Sequence, residues 1–329
     1  MPAEVTPVAM LAGGLVLLYA GGRFLVSGAV GLARHLGVSP LLIGIVIVAF
    51  GTSAPELFVS VNAVVEGTPE IAVGNVVGSN IANVMLVLAL AALFWPIGQR
   101  RVVLRDGATM LAATGLFIWS ASRGQIAQEG GYVLVGLLVI YIIWSWLGER
   151  TRAEDGEITR PSALLLPRGL HPGWLDLFLT VAGIAGLVFG ARLIVDGGVG
   201  LAQLLGVSEA VIAISMIAVG TSLPELAAIG VAASRKHTGI VVGGIVGSNI
   251  FNVLSVLGIT ALVKPVEIAP VFMERDVWVM LGAALVLALV VTTRRRFGRI
   301  EGAILLAAYG VYIYALYYEF LPNAPAAGG

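Results

Sequence analysis

The chain has 329 residues, 58% hydrophobic and only 12% charged, about half the charge of a soluble domain, so it reads as a polytopic membrane protein. Its 19 basic and 19 acidic residues cancel, which removes the electrostatic basis for a nucleic-acid partner. The absence of cysteine excludes disulfides, thiolate metal sites and cysteine nucleophiles.

The first residues, MPAEVTPVAML, lack a basic stretch and a small-residue cleavage site, and read as the lead into a helix. Apolar runs long enough to cross a bilayer follow one another. They predict helices at 6–33, 40–65, 70–94, 104–121, 131–148, 173–203, 208–233, 239–263, 276–293 and 300–319. The first and sixth exceed a perpendicular span and should tilt. Both are rich in glycine, which permits close helix approach or sliding. His35, His171 and His237 fall in short polar stretches, which argues against a histidine-based metal enzyme. The fold class is therefore all-α, with ten transmembrane helices in two sets of five. Residues 1–148 form the first set, 149–171 a polar linker and 172–329 the second. The linker is too short for a regulatory domain.

The two sets repeat each other. Arg23 matches Arg192, Glu56 matches Glu225, and GSNIAN at 78 matches GSNIFN at 247, all at one offset of 169 (225 − 56; 247 − 78). From Gly21 to Leu88 about half the positions equal their partners, and such internal repeats mark transporter folds. An odd number of helices per repeat sends the second set into the membrane from the opposite side, so the repeat is inverted. Basic residues set the orientation. With the N-terminus outside, inner loops hold Arg34, Arg100, Arg101, Arg105, Arg150, Arg152, Arg160, Arg168, Arg235, Lys236, Arg294, Arg295, Arg296 and Arg299. Outer loops hold only Arg123, Lys264 and Arg275. Both termini are expected outside, with the linker in the cytoplasm. Arg23 and Arg192 lie within helices and are read as snorkelling to the interface, with a gate or latch as the alternative. Glu66 and Glu70 read as solvated loop charges.

Two motifs carry the chemistry. AFGTSAPE at 49–56 returns as AVGTSLPE at 218–225. Pro55 has no N–H and clashes with the Gly51 carbonyl, so the helix must break or kink. Carbonyls around Ala49 to Thr52 then face a polar space, beside the hydroxyls of Thr52 and Ser53 and the carboxylate of Glu56. An ionisable side chain at mid-membrane is by default a functional one. Here there are two, each near the N-terminus of the half-helix after the break, where the dipole favours negative charge. Oxygen ligands of this kind suit hard cations. The second motif is GNVVGSNIANV at 74–84 and GGIVGSNIFNV at 243–253. Ser79 and Asn83 share one helix face, as do Ser248 and Asn252. Asn80 and Asn249 lie on another face, where bonding across helices is the plainer reading.

Two copies of G-T-S-x-P-E, each followed by G-S-N-x-x-N, resemble the α-repeats of the cation/Ca²⁺ exchanger superfamily, and most of all its prokaryotic Na⁺/Ca²⁺ exchanger branch. The resemblance spans both halves. It implies that helices 2, 3, 7 and 8 surround a group of cation sites and that helices 1 and 6 slide across them. By motif position, it implies that Glu56 and Glu225 hold Ca²⁺ with the carbonyls of Thr52 and Thr221. It further implies one Na⁺ site of Ala49, Thr52, Ser53 and Ser248 with Glu56. The mirror site has Ala218, Thr221, Ser222 and Ser79 with Glu225, and Asn83 and Asn252 line the middle. In one departure, archaeal-type members can carry Asp at the position of Asn252, whereas here both halves have Asn. The proton-coupled branch resembles G-N-x-x-E at the first motif, which this chain lacks.

The expected function is secondary active antiport of Na⁺ against Ca²⁺ by alternating access. Excess Na⁺ charge would make it electrogenic. The ions are substrates; no cofactor, protein partner or enzymatic activity is implied, and the resemblance suggests a prokaryotic inner membrane. A proton-coupled divalent-cation exchanger of the same fold is the first alternative. A cation channel is the second, although pores favour rings of ligands about an axis. A non-transporting scaffold fits poorly with buried paired carboxylates.

Overall fold

The computed structural model describes residues 5–97, 104–154, 173–204, 220–292 and 297–320. The expected helices form in the expected order. They are α1 (Val5–Leu36), α2 (Pro40–Thr52, continuing as Ala54–Glu66), α3 (Pro69–Phe94), α4 (Leu104–Ser122) and α5 (Gln128–Glu154). The second set is α6 (Gly173–Leu204), α7 (Leu223–Ser234), α8 (Thr238–Val263), α9 (Asp276–Thr292) and α10 (Arg299–Phe320). By length and apolarity α1, α3, α5, α6, α8 and α10 each suffice to cross a membrane, and α2 does so as a pair of segments bent by 43°. The start of the predicted seventh helix, with Ala218, lies outside the described residues, as do most of the linker, His171 and the basic positions 100, 101, 160, 168 and 294–296. His35 sits in the last turn of α1, not in a loop.

Burial sorts the helices into layers. The most apolar 18-residue window of α8 is 94% buried and that of α3 78%, against 28% for α1, α5 and α6 and 11% for α10. The outer helices turn large apolar side chains outward, among them Leu15, Tyr132, Trp174 and Val311. In a chain this apolar, that surface is the one that faces lipid.

α1 and α6 make the most extensive helix contact in the structure and run antiparallel. A Cβ on Gly14 would lie 2.8 Å from the Gly190 carbonyl oxygen, and one on Gly21 2.9 Å from that of Gly183. Only residues without a side chain allow two backbones this close. At one end of the crossing, His35 Nε2 meets Asp176 Oδ2 at 3.0 Å.

The two repeats interleave instead of forming separate bodies. α5 of the first packs on α8 of the second, and α10 of the second on α3 of the first. The inversion shows in two backbone pairings. Strand β1 (Gln125–Ile126) pairs antiparallel with β2 (Val266–Glu267), joining the loops after α4 and α8. Ile97 pairs with Phe297, joining the loops after α3 and α9. Ile97 and Val266 are repeat equivalents, so the same bridge is built once at each end of the bundle.

Among the described residues three segments depart from α-helical winding: Gly44–Val48, Asn83–Leu88 and Asn252–Leu257 are π-helical. The last two are repeat equivalents, and each starts at the central asparagine of the second motif. Such wide turns concentrate at functional sites.

A further buried pair recurs. Arg105 Nε donates to Asp106 Oδ1 at 3.0 Å, and the Tyr141 hydroxyl donates to the same oxygen at 3.1 Å. Arg275, Asp276 and Tyr312 repeat the arrangement with the same two distances. These clusters tie α4 to α5 and α9 to α10. The offset has drifted here to 170 and 171 (275 − 105; 312 − 141), which hides them from a search at a fixed spacing.

Candidate cation site

Both helix breaks have one backbone form. Ser53 adopts φ −83°, ψ 5° and Ser222 φ −85°, ψ 0°. Each is followed at the second helical position by proline, Pro55 or Pro224, whose missing N–H is harmless there. Glu56 and Glu225 stand in the first turn of the segment that follows. The Ala49 carbonyl is more occupied than its sequence suggests. It accepts the Ser53 N–H at 2.9 Å and the Thr52 hydroxyl at 3.4 Å, so an ion at this oxygen would displace the longer bond.

Eleven of the twelve candidate residues are described, and all are buried: Ala49, Thr52, Ser53, Glu56, Ser79, Asn83, Thr221, Ser222, Glu225, Ser248 and Asn252. Glu56 is 0% and Glu225 3% exposed. Among the described residues, seven of their buried oxygens have no hydrogen-bond partner: both carboxylate oxygens of Glu56 and Glu225, the hydroxyls of Ser53 and Ser222, and Oδ1 of Asn252. Each such group costs about 1–3 kcal/mol when left unpaired, and more when charged. The other buried acids do not share this state. Asp106 and Asp276 hold arginine and tyrosine, and Asp176 holds His35. The glutamates are thus set apart by their lack of partners, not by burial alone.

The arrangement crosses the two halves. Thr52 and Asn83 of the first half line one narrow cavity with Glu225 and Ser248 of the second, closed by Val48 and Ile229. Thr52 and Ser53 face the Glu225 carboxylate, while Ser79 and the Glu225 charge face Glu56. Ser79 stands beside Glu56, and Ser248 lines the cavity of Glu225. In the α2–α3 hairpin, Asn75 Nδ2 donates to the Glu56 carbonyl and to Ser60 Oγ, each at 3.0 Å. Ser79 lies one turn further along α3.

Asn75 is a site residue that the repeat comparison missed, because its equivalent is Gly244 and the bond has no counterpart. The available signal was an asparagine four residues before Ser79, on the same face. Replacing Asn75 with Leu is expected to lower stability by about 1–3 kcal/mol, because Ser60 loses its donor. Thermal unfolding of purified protein reads this directly, and an unchanged midpoint would show that the bond contributes nothing.

Among the described residues no three of His, Cys, Asp or Glu converge. Two carboxylates with hydroxyl and amide oxygens are a hard-cation donor set, unsuited to a soft metal. Arg23 and Arg192 stay exposed, lying over the rings of Tyr19 at 5.7 Å and Phe58 at 5.9 Å. Glu66 and Glu70 are exposed as well.

Two interleaved inverted repeats around unpaired acids at mid-membrane define a secondary ion transporter. The chain belongs to the sodium/calcium exchanger protein family, whose model matches residues 6–147 and 175–318. It is 36% identical over 318 residues to the putative antiporter CaxA of Alkalimonas amylolytica, covering 95% of this chain and 99% of that one. It is 32% identical over 338 residues to the sodium/calcium exchanger MaX1 of Methanosarcina acetivorans, covering 93% and 97%. The solved structure of the sodium-calcium exchanger NCX_Mj, soaked with zero Na⁺ and Ca²⁺, superposes with a TM-score of 0.79 at 31% identity, covering 95% of this chain and 99% of that one. The protein is an integral membrane antiporter of this fold.

Proposed function

We propose that the protein exchanges Na⁺ for Ca²⁺ at the site between the two breaks. The observation that carries this is the set of seven unpartnered buried oxygens supplied by both repeats. With both glutamates ionised, one Ca²⁺ neutralises the site. Two Na⁺ do the same, and a third leaves it positive. The two ions share carboxylates and cannot occupy the site together, which is the condition for antiport. Excess Na⁺ charge makes the exchange electrogenic.

The ligands are Glu56, Glu225, Thr52, Thr221, Ser53, Ser222, Ser79, Ser248, Ala49, Ala218, Asn83 and Asn252. Alternating access follows from α1 and α6 moving as a pair over the buried core, since their backbones meet with few intervening side chains. The bias of basic residues supports a cytoplasmic linker and both termini outside, and the likeness to prokaryotic exchangers supports a prokaryotic inner membrane. The two repeats, 1–148 and 172–329, are the units that the inversion relates.

The test is Ca²⁺ uptake into proteoliposomes loaded with Na⁺ and diluted into Na⁺-free buffer, with K⁺ and pH matched across the membrane. Uptake that requires the Na⁺ gradient and responds to an imposed voltage is expected. Uptake driven by a pH gradient alone would replace Na⁺ with H⁺ as the coupling ion.

A further inference from the structure

We propose that Asn80 and Asn249, which touch no ion in the reading above, are positioning residues: a crossed pair of amide bonds that locks the oxygens of Asn252 and Asn83 toward the cation. The inference rests on that reading of the site and extends it to the layer behind the ligands.

The orientation of each amide is fixed by a chain of obligations. A backbone carbonyl and a thioether can only accept hydrogen bonds. Asn80 Nδ2 lies 3.5 Å from the Asn249 carbonyl oxygen and 3.7 Å from Met280 Sδ, so the amino end of Asn80 must face them. Its Oδ1 then faces Asn252, whose Nδ2 donates to it at 3.1 Å. The amino group of Asn252 is thus occupied, and its Oδ1 is left buried with no partner among the described residues. The second half keeps the thioether and the crossed amide, without the carbonyl contact. Asn249 Nδ2 lies 3.8 Å from Met110 Sδ, and Asn249 Oδ1 accepts Asn83 Nδ2 at 3.1 Å. Asn83 borders the cavity beside Thr52, Glu225 and Ser248.

Each brace therefore crosses from one repeat to the other. Without it, a central amide could rotate and present N–H to a cation, turning an attractive ligand repulsive. The brace also requires an amide at 83 and 252. An ionised carboxylate there would set acceptor against acceptor. All four asparagines and both methionines are buried, so water offers no substitute partner. The π-helical turns that begin at Asn83 and Asn252 coincide with the places where these side chains reach across.

The test is a double-mutant cycle read by calorimetric titration of CaCl₂ into purified protein in Na⁺-free detergent. Asn249→Leu is expected to weaken Ca²⁺ binding roughly tenfold, the usual scale for a partner one layer behind a metal ligand. In an Asn83→Ala background the same substitution should cost almost nothing, because it acts only through Asn83. A role in packing alone would cost the same in both backgrounds, and that result, or unchanged binding by Asn249→Leu, overturns the proposal. Asn249→Asp keeps an acceptor for Asn83 and is expected to bind Ca²⁺ within about threefold of the unmodified protein on the same scale. It stands as the deciding variant if the leucine protein does not fold, and a tenfold loss there also overturns the brace. Unmodified protein that binds neither Ca²⁺ nor Na⁺ would overturn the cation site itself and the brace with it.

Discussion

Glu225→Gln is expected to abolish exchange while making the protein more stable, and Glu56→Gln to do the same. The substitution conserves volume and removes charge, and the carbonyl oxygen of the new amide can still accept from a nearby hydroxyl, Thr52 or Ser53 at Glu225 and Ser79 at Glu56. An unpaired buried charge is costly, so the melting temperature should rise in ion-free buffer. Transport should fall at least about a hundredfold, because even groups one layer behind a bound metal contribute roughly ten- to a hundredfold. Asp106→Asn is the informative contrast. Asp106 is equally buried, but it holds Arg105 and Tyr141. Breaking such a pair costs about 3–5 kcal/mol, and the protein that remains folded should still exchange. Both are measured by thermal unfolding and by uptake in proteoliposomes. Robust exchange by either glutamate variant would remove the central claim. A melting temperature that fell on Glu→Gln would show that these carboxylates hold the fold together.

The second large effect is expected at the crossing of α1 and α6. Gly183→Val should destroy transport, because a Cβ there overlaps the backbone of Leu25. Backbone cannot step aside as a side-chain tip does, so the helices must separate. Overpacking costs typically about 1–3 kcal/mol, and here it also opens the joint on which the proposed movement of α1 and α6 depends. Gly310→Ala in α10 has no atom within 4 Å of the new Cβ and should leave transport unchanged and stability level or slightly higher. Uptake by Gly183→Val at the unmodified rate would show that the close contact is dispensable.

The seven-residue spacing of Gly14, Gly21 and Gly28, answered by Gly183, Gly190 and Gly197, was available in the sequence as a narrow stripe on each helix. Composition alone marked both helices as glycine-rich and left ordinary packing and sliding equally open. The antiparallel register decides the matter by placing each glycine against backbone of the other helix. The π-helical turns carried no comparable signal, since Asn83–Leu88 and Asn252–Leu257 read as ordinary apolar helix. Their winding depends on what Asn83 and Asn252 meet across the core.

The sequence by itself determined the class, the helices, the inversion and the break at each proline. Those properties are local or compositional: bilayer thickness sets helix length, proline removes a bond wherever it stands, and an odd repeat must invert. It also singled out Glu56 and Glu225, because a charge amid apolar residues is anomalous before any neighbour is known. Only the tertiary structure decided which oxygens share a cavity, and that Asn75, Asn80 and Asn249 bond to the candidate residues Glu56, Asn252 and Asn83. Those facts depend on groups 15 to 200 residues apart in the chain. Whether a buried polar atom is satisfied by protein or left for an ion is settled by the position of its partner, and for these groups the partner comes from another helix.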